Sequence, residues 1–560
     1  MMLQSRKPLF WLLLFIVAYP LAAFVVIPIL RTLWESFLVD GRWNLSAYRT
    51  AFGADSSGWQ ALSTSVLISL GTVAGAALVG VPVAFLLGRV DFPGRRLASV
   101  LVIFPLALPP LVGVLSFMFL FESYGVVPLA LQALLGLDRP PFRLTGLAGV
   151  LVVHIYSLFP FYTVFVAQAL RGLDRSLEES SMALGAGRLR TLRRVTLPML
   201  RPALMSATLL VFMTSMASFS APYLFALNHH FLSTDIFLNK INNNNPQALA
   251  LTVVLAGISL AFLGLIRKVG PGRVLGGGKG SPAPLRQLRS PAARRLAATA
   301  AAAFCLLVLL PHFMIAFLAF VKTGGWTHTV LPEHYTLENF RRMFVQPMFF
   351  APIVNSVKMA GMAAVAVGVF GLMAALLVVR GRFAARGLLE MAVMLPWALP
   401  GTVIAISLIV SLSQPHLLTG GVAWAGSVWL LPVAYFVRFM PLGVRSTASA
   451  LEQLDPALEE ASASLGAGPL RTFRRVLLPL LWPGCLAGML FTFITAVGEY
   501  TSSILLYVPD NMPISIKIDI QSRIPDLGGA SAYSVLLLAL VLGALYASRK
   551  SLRVGDQIRL

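Results

Sequence analysis

The sequence predicts an all-α integral membrane protein with about twelve transmembrane helices, arranged as two parallel six-helix repeats. Three observations predict it: an apolar composition, a dozen apolar runs of membrane-spanning length, and a charged segment that occurs twice. Hydrophobic residues make up 57% of the 560-residue chain and charged residues only 12%, with a mean hydropathy of +0.81. Soluble domains carry about a quarter charged residues. Runs of ~20 apolar residues span a ~30 Å hydrocarbon core as helix, the backbone conformation that satisfies its own polar groups there.

The expected spans lie near 9–31, 62–88, 98–121, 146–170, 203–226 and 247–266 in the first repeat. Those of the second lie near 296–321, 353–379, 388–411, 421–444, 484–508 and 531–547. The first follows Arg6 and Lys7. It is too long for a secretory h-region and lacks a small-residue cleavage site, so it is expected to remain as an anchor. Cys305 and Cys485 both fall in apolar spans and build no disulfide framework.

With 44 Lys and Arg against 22 Asp and Glu, the formal charge of +22 invites a nucleic-acid partner. The placement of the charges points instead to topology. With both termini inside, the basic residues collect in the inside segments: Arg89, Arg95 and Arg96; the arginines of 171–201; Arg380, Arg382 and Arg386; Arg471, Arg474 and Arg475; then Arg549 and Lys550. Cytoplasmic loops carry this excess because it orients a chain during insertion. No nucleic-acid partner is expected, and lipid is the immediate surroundings.

The duplication is legible in two landmarks. Residues 89–114 align with 380–405 at a displacement of 291, pairing Arg89 with Arg380, Phe92 with Phe383, Pro105 with Pro396 and Pro109 with Pro400. The charged stretch LEESSMALGAGRLRTLRRVTLPML at 177–200 recurs as LEEASASLGAGPLRTFRRVLLPLL at 458–481, displaced by 281. The difference puts extra residues of the first repeat into the outside segment 122–144. An even number of spans per repeat gives both the same orientation. The units are therefore residues 1–266, a Gly/Pro/basic linker 267–295, and residues 296–560. The linker's GGGKGS is no phosphate-binding loop, since Lys279 is followed by Gly280 and no strand precedes it.

Each charged copy reads as a short helix, a glycine turn and a basic helix facing the cytoplasm. Asp174 and Asp455 are helix caps, and Pro456 suits the first helical position. Glu178 and Glu179 sit near a positive helix end. Leu177, Ser181 and Leu184 share a face, as do Leu458, Ser462 and Leu465. Gly185 and Gly466 fall where a helix closes in the left-handed conformation. Gly187 or Gly468 then opens a helix bearing Arg190, Arg193 and Arg194, or Arg471, Arg474 and Arg475, before Leu197–Pro198 or Leu478–Pro479 turns the chain back into the membrane. A lipid-anchoring hairpin would not require two matched copies. A DNA-binding helix-turn-helix is excluded by context, because both copies are held between spans. Docking to a two-fold cytoplasmic partner suits the duplication.

The pattern Glu-small-small-x-x-x-Gly followed by Leu-Pro resembles the EAA loop of binding-protein-dependent ABC importer permeases. It reads Glu179, Ser180, Ser181, Gly185, Val195, Leu197 and Pro198 in one copy, and Glu460, Ala461, Ser462, Gly466, Val476, Leu478 and Pro479 in the other. Serine replaces alanine at three of these small positions. The resemblance covers nearly the whole chain and implies the type I (MetI-like) importer fold in a bacterial inner membrane. It also implies that Glu178–Gly185 and Glu459–Gly466 are coupling helices, seated in two copies of a separate ABC ATPase. That partner would use ATP and Mg2+, this chain binding no cofactor and catalysing nothing. An extracytoplasmic binding protein would deliver the cargo.

The ALPP/ALPG spans and the GEYTSSILLY stretch look most like the ferric-iron group. Thiamine, phosphonate, polyamine and sulfate permeases are close relatives. Glu499 is the carboxylate placed well inside a span, a costly position that marks function by default. Its counterpart at displacement 281 is Ser218, and the two are candidates for the translocation pathway. The competing reading is that Glu499 hydrogen-bonds within the bundle or pairs with a basic group. Lys358 and Arg438 are expected near span ends, snorkelling. His229 and His230 lie in an outside loop without a recognisable metal-ligand set. An ion-coupled secondary transporter would need several intramembrane acids. A membrane enzyme would need a catalytic cluster, and none is visible.

Overall fold

The computed structural model describes residues 7–551 except 55, 124, 227, 270–284, 289, 325–330, 416–418 and 525. Most of the linker, including Lys279, therefore lies outside the described residues. The chain is almost wholly helical. Its strands are two-residue ribbons, one of which joins Val90–Asp91 in parallel to Arg286–Gln287 at the linker's end.

Among the described residues ten helices are long and apolar enough to cross a membrane, or eleven if one bent pair is counted as a span. The expected twelfth, placed at 421–444, is the helix Leu430–Glu452. It carries Arg438, Arg445 and Glu452, which lower its hydropathy, yet most of its length is buried between neighbours. The span expected at 388–411 is two helices, Arg386–Ala398 and Gly401–Leu412, meeting at 112°. Leu399–Pro400 forces this, because proline excludes the preceding residue from helix and removes an amide donor.

The spans expected at 98–121, 203–226 and 484–508 are also interrupted. The first is Arg95–Leu101, a 3-10 turn Phe104–Ala107 and Pro110–Phe121. The second ends at Met216 and resumes over Ser220–Phe225. The third ends at Val497 and resumes over Ser503–Leu506. Segment 122–144, assigned the extra residues of the first repeat, holds an additional helix, Val126–Leu135.

One packing unit occurs twice. In the first copy, Gly58–Arg89, Gly146–Gly172 and Leu197–Met216 pack together. In the second, Pro347–Arg380, Leu430–Glu452 and Leu478–Val497 do the same. Small residues set the approach: a Cβ at Gly371 would lie 2.8 Å from the backbone carbon of Gly443, and one at Gly80 would lie 2.4 Å from the Phe159 carbonyl oxygen. Between apolar helices in lipid, such contacts supply the association that the hydrophobic effect does not.

The first helix of each copy crosses to the other copy. The N-terminal helical run, Lys7–Glu35, lies against Arg386–Ala398 and Gly401–Leu412, and Arg31 donates to the Ser411 carbonyl at 3.1 Å. Reciprocally, Pro291–Leu318 lies against Arg95–Leu101 and Pro110–Phe121, and the Tyr156 hydroxyl donates to the Val308 carbonyl at 2.8 Å. Cys305 and Cys485 are buried and unpaired by disulfide.

Candidate functional site: paired charged hairpins and a seam between copies

The two charged segments fold alike. Helix Arg175–Ala183 begins at Asp174, whose carboxylate accepts the Ser176 amide at 2.9 Å. That bond holds the Asp174 carboxyl below its ordinary range. Helix Ala457–Ser464 begins the same way, Asp455 accepting the Ala457 amide at 2.9 Å. Gly185 and Gly466 close them with φ of +83° and +78°, and the Ala186 and Ala467 amides reach back to the Ser181 and Ser462 carbonyls at 3.1 Å. Left-handed closure of this kind satisfies carbonyls that a helix end would otherwise leave open.

Two further contacts pin each hairpin. Ser181 bonds Thr191 at 3.1 Å, and Ser462 bonds Thr472 at 2.9 Å. Glu178 accepts from Arg89 at 2.9 Å and from Thr196 at 2.7 Å. Glu459 accepts from Arg380 at 3.0 Å, and Arg380 also donates to the Leu454 carbonyl at 2.9 Å. The first glutamate of each pair therefore turns inward, onto the arginine at the end of the second long helix. The second one, Glu179 or Glu460, faces outward with Ser180 or Ala461. Leu184 and Leu465 stand at the hairpin tips, each 88% exposed. Leu184 and Ser181 thus separate, one outward and one toward Thr191, where a shared face is expected.

The return is continuous with the basic helix. A single helical run, Arg188–Met216, passes through a π-helical turn at Leu192–Thr196, and Leu197–Pro198 opens its next segment with no turn of chain. Phe473–Leu477 is the matching π-helical turn before Leu478–Pro479. Proline lacks the amide that an uninterrupted α-ladder needs, and the π turn absorbs that loss.

Glu499 is not inside a helix. It sits two residues past the end of Leu478–Val497, buried, with Oε2 3.2 Å from Arg438 Nε and Oε1 accepting the Ser502 amide at 2.9 Å. Arg438 is correspondingly in mid-helix and three-quarters buried, not snorkelling at a span end. A residue buried in a low-dielectric bundle must have such a partner to remain charged. Lys358 is exposed on the side of Pro347–Arg380. Ser218 is the matched turn residue, and it bonds His154 Nε2 at 2.9 Å, while His154 Nδ1 meets Ser215 at 3.0 Å. Its carbonyl accepts from Ser233 at 2.6 Å, as that of Glu499 accepts from Ser515 at 2.8 Å. His230 pairs with Asp235 at 3.0 Å, and the described residues hold no group of three His, Cys, Asp or Glu arranged for a metal.

Sequence reasoning missed a second polar group at the seam, where Ser220–Phe225 of the first copy meets 499–523 of the second. Asp519 and Arg523 pair there at 3.2 Å, and the guanidinium lies 4.7 Å over the Tyr223 ring. The segment ISIKIDIQSR at 514–523 gave no distinct signal, because its match LSTDIFLNKI at 232–241 carries charges too, at Asp235 and Lys240.

Two stretches, 80–275 and 367–549, match the family of binding-protein-dependent transport system inner membrane components. The chain belongs to that family. It is accordingly the multi-pass inner-membrane permease of an ABC importer, working with a periplasmic binding protein, and ATP hydrolysis lies with a partner. Ion-coupled secondary transport falls with this membership. A probable ABC transporter permease, y4fN of Sinorhizobium fredii, is 32% identical over 97% of this chain and 96% of its own. The Fe(3+)-transport system permease FbpB 2 of Haemophilus influenzae is 26% identical over 96% of this chain and 97% of its own. A probable sulfate transport permease, cysT of Nephroselmis olivacea, is 33% identical but matches 38% of this chain and 78% of its own.

Proposed function

We propose that this permease imports ferric iron, taking it from an extracytoplasmic binding protein and driven by two copies of an ATPase docked on Glu179–Gly185 and Glu460–Gly466. The observation that carries the substrate is the end-to-end likeness to an Fe(3+) permease, across both copies and their joining segment. A sulfate permease matches 38% of the chain, less than one copy, and that machinery is the second reading. The hairpins support the docking: their caps, αL glycines and inward glutamates make them rigid, while small residues and the exposed Leu184 and Leu465 leave the tips open to a groove. Closure of the ATPase pair would then rock the copies between inward- and outward-facing states.

Radiolabelled uptake in cells deleted for the chain and complemented with it tests the cargo. Restored ferric uptake without restored sulfate or molybdate uptake is expected, and the reverse pattern would refute the assignment. For docking, the ATPase should co-purify with wild type and be lost when Gly185 and Gly466 are both replaced by Trp, with membrane insertion intact. Retention of the ATPase and normal uptake by that double variant would contradict the coupling role.

A further inference from the structure

The seam cluster has chemistry that the fold does not require. Tyr500 is 2% exposed, and its hydroxyl has no partner at full hydrogen-bonding geometry among the described residues, the Asp519 carboxylate being the acceptor that faces it. The groups acting on it electrostatically are Asp519, Tyr223 and Arg523. Leaving a buried hydroxyl without a well-formed hydrogen bond is costly. Other buried phenols of this protein are satisfied: Tyr162 bonds Thr208 and Tyr435 bonds Ser503, each at 2.7 Å.

Packing does not explain the hydroxyl, because the duplication supplies a control. At the displacements that align the copies here (281 before the seam helix, 282 within it), Tyr500 matches Phe219, Asp519 matches Phe237 and Arg523 matches Ile241. The first copy builds the same turn and the same short helix with apolar side chains at these three positions, and Phe219 is as buried as Tyr500. Polarity at these positions is therefore confined to the second copy. The first copy contributes one oxygen donor, Tyr223, from its own short helix. Around the cluster the walls are aromatic, with Phe219 5.8 Å from Tyr500 and 4.9 Å from Tyr223, and Phe237 5.4 Å from Tyr223.

We propose that Tyr500, Tyr223 and Asp519 form a transit site for a hard trivalent cation at the seam between the copies. This rests on the ferric reading and names the residues that would contact the cargo. The donors are all oxygen, which suits hard cations, and the set has no thiolate, thioether or imidazole. Asp519 is paired with Arg523 when the site is empty, so no uncompensated charge is buried. On cation binding each phenol gives its proton to water as its oxygen bonds the metal. Two phenolates and one carboxylate then balance three positive charges, with no change of oxidation state. Arg523, whose side chain is 48% exposed, can release Asp519 and remain solvated. Because the ligands come from both copies, rocking one copy against the other would separate them and release the ion.

The test uses the full chain in nanodiscs with its ATPase, titrated with ferric nitrilotriacetate, alongside ferric uptake in complemented cells. Wild type should develop a tyrosinate-to-iron charge-transfer band. Tyr500→Phe, which Phe219 shows the fold accepts, should weaken and shift the band, with Tyr223 left as the one phenolate, and should weaken iron binding by at least the ~10–100-fold that loss of an outer-sphere partner costs. Asp519→Asn should weaken binding similarly, with ATPase co-purification and thermal stability of both variants near wild type. Wild-type ferric uptake unchanged in Tyr500→Phe, with no band in either protein, would overturn this site and leave the ferric reading standing. Absence of any ferric uptake by wild type would overturn both. Sulfate or molybdate binding abolished by Arg523→Gln would instead assign the cluster to an oxyanion.

Discussion

At one matched point the two copies solve the same problem with different chemistry. Where the third span breaks, the first copy has Pro110, Ser157 and Ser218, while the second has Gly401, Arg438 and Glu499. A Cβ at Gly401 would lie 1.6 Å from Arg438 Nη1. Glycine is there because the guanidinium fills the space that a side chain would take. The first copy carries no arginine at that position, and proline fits. One copy closes its turn with neutral hydrogen bonds through His154, the other with a buried ion pair. The three differences form one substitution, and a duplicated fold can thus place charge on one side of its seam alone.

The largest effect should come from breaking the pair on one side. Arg438→Met or Glu499→Gln alone leaves an uncompensated buried charge, at a cost of about 3–5 kcal/mol. Arg438→Met with Glu499→Gln should recover much of that loss. Thermal unfolding of the purified chain would measure all three, and additive losses in the double variant would show that the two residues do not act as a pair. Next in size, Gly401→Ala should destabilise by about 1–3 kcal/mol through overpacking against Arg438, a cost that should vanish when the pair is replaced by the first copy's residues, Arg438→Ser with Glu499→Ser. Pro110→Gly in the first copy should change stability by under about 1 kcal/mol, because no arginine stands there.

At the hairpins the copies agree, and their variants should too. Gly185→Ala and Gly466→Ala should each cost about 1 kcal/mol, from the left-handed backbone alone, since no atom lies within 4 Å of either new Cβ. Unequal effects in a paired thermal-melt comparison would mean that the hairpins are not equivalent. The smallest effect is on pH. Asp174 has a carboxyl pKa below its ordinary 3.8, so its cap is fully present above that value and is lost as pH falls through the lower folded one. Protection of the Ser176 amide from hydrogen exchange should fall over that acid range, and Asp174→Asn should remove the pH dependence.

Local features were legible from residue order. The caps at Asp174 and Asp455, the closures at Gly185 and Gly466 and the extra residues at 122–144 all depend on neighbours a few positions away. Pairing of Glu499 with a basic group was legible as one of two alternatives, but its partner Arg438 was expected elsewhere. The inward turn of Glu178 and Glu459 was not legible, because Arg89 and Arg380 lie on a helix distant in sequence. Nor were Tyr500 and Asp519, which acquire their setting from Tyr223 across the seam.

Amino-acid order by itself determined the solvent, the duplication and the local chemistry of the hairpins, since composition and short-range spacing act over a turn or two of helix. Tertiary structure alone decided which first helix crosses to which copy, and where a buried charge finds its counter-ion. Those outcomes turn on the low dielectric and close packing of the bundle. There a single guanidinium must be paired, and a glycine hundreds of residues from the matching proline must make room for it.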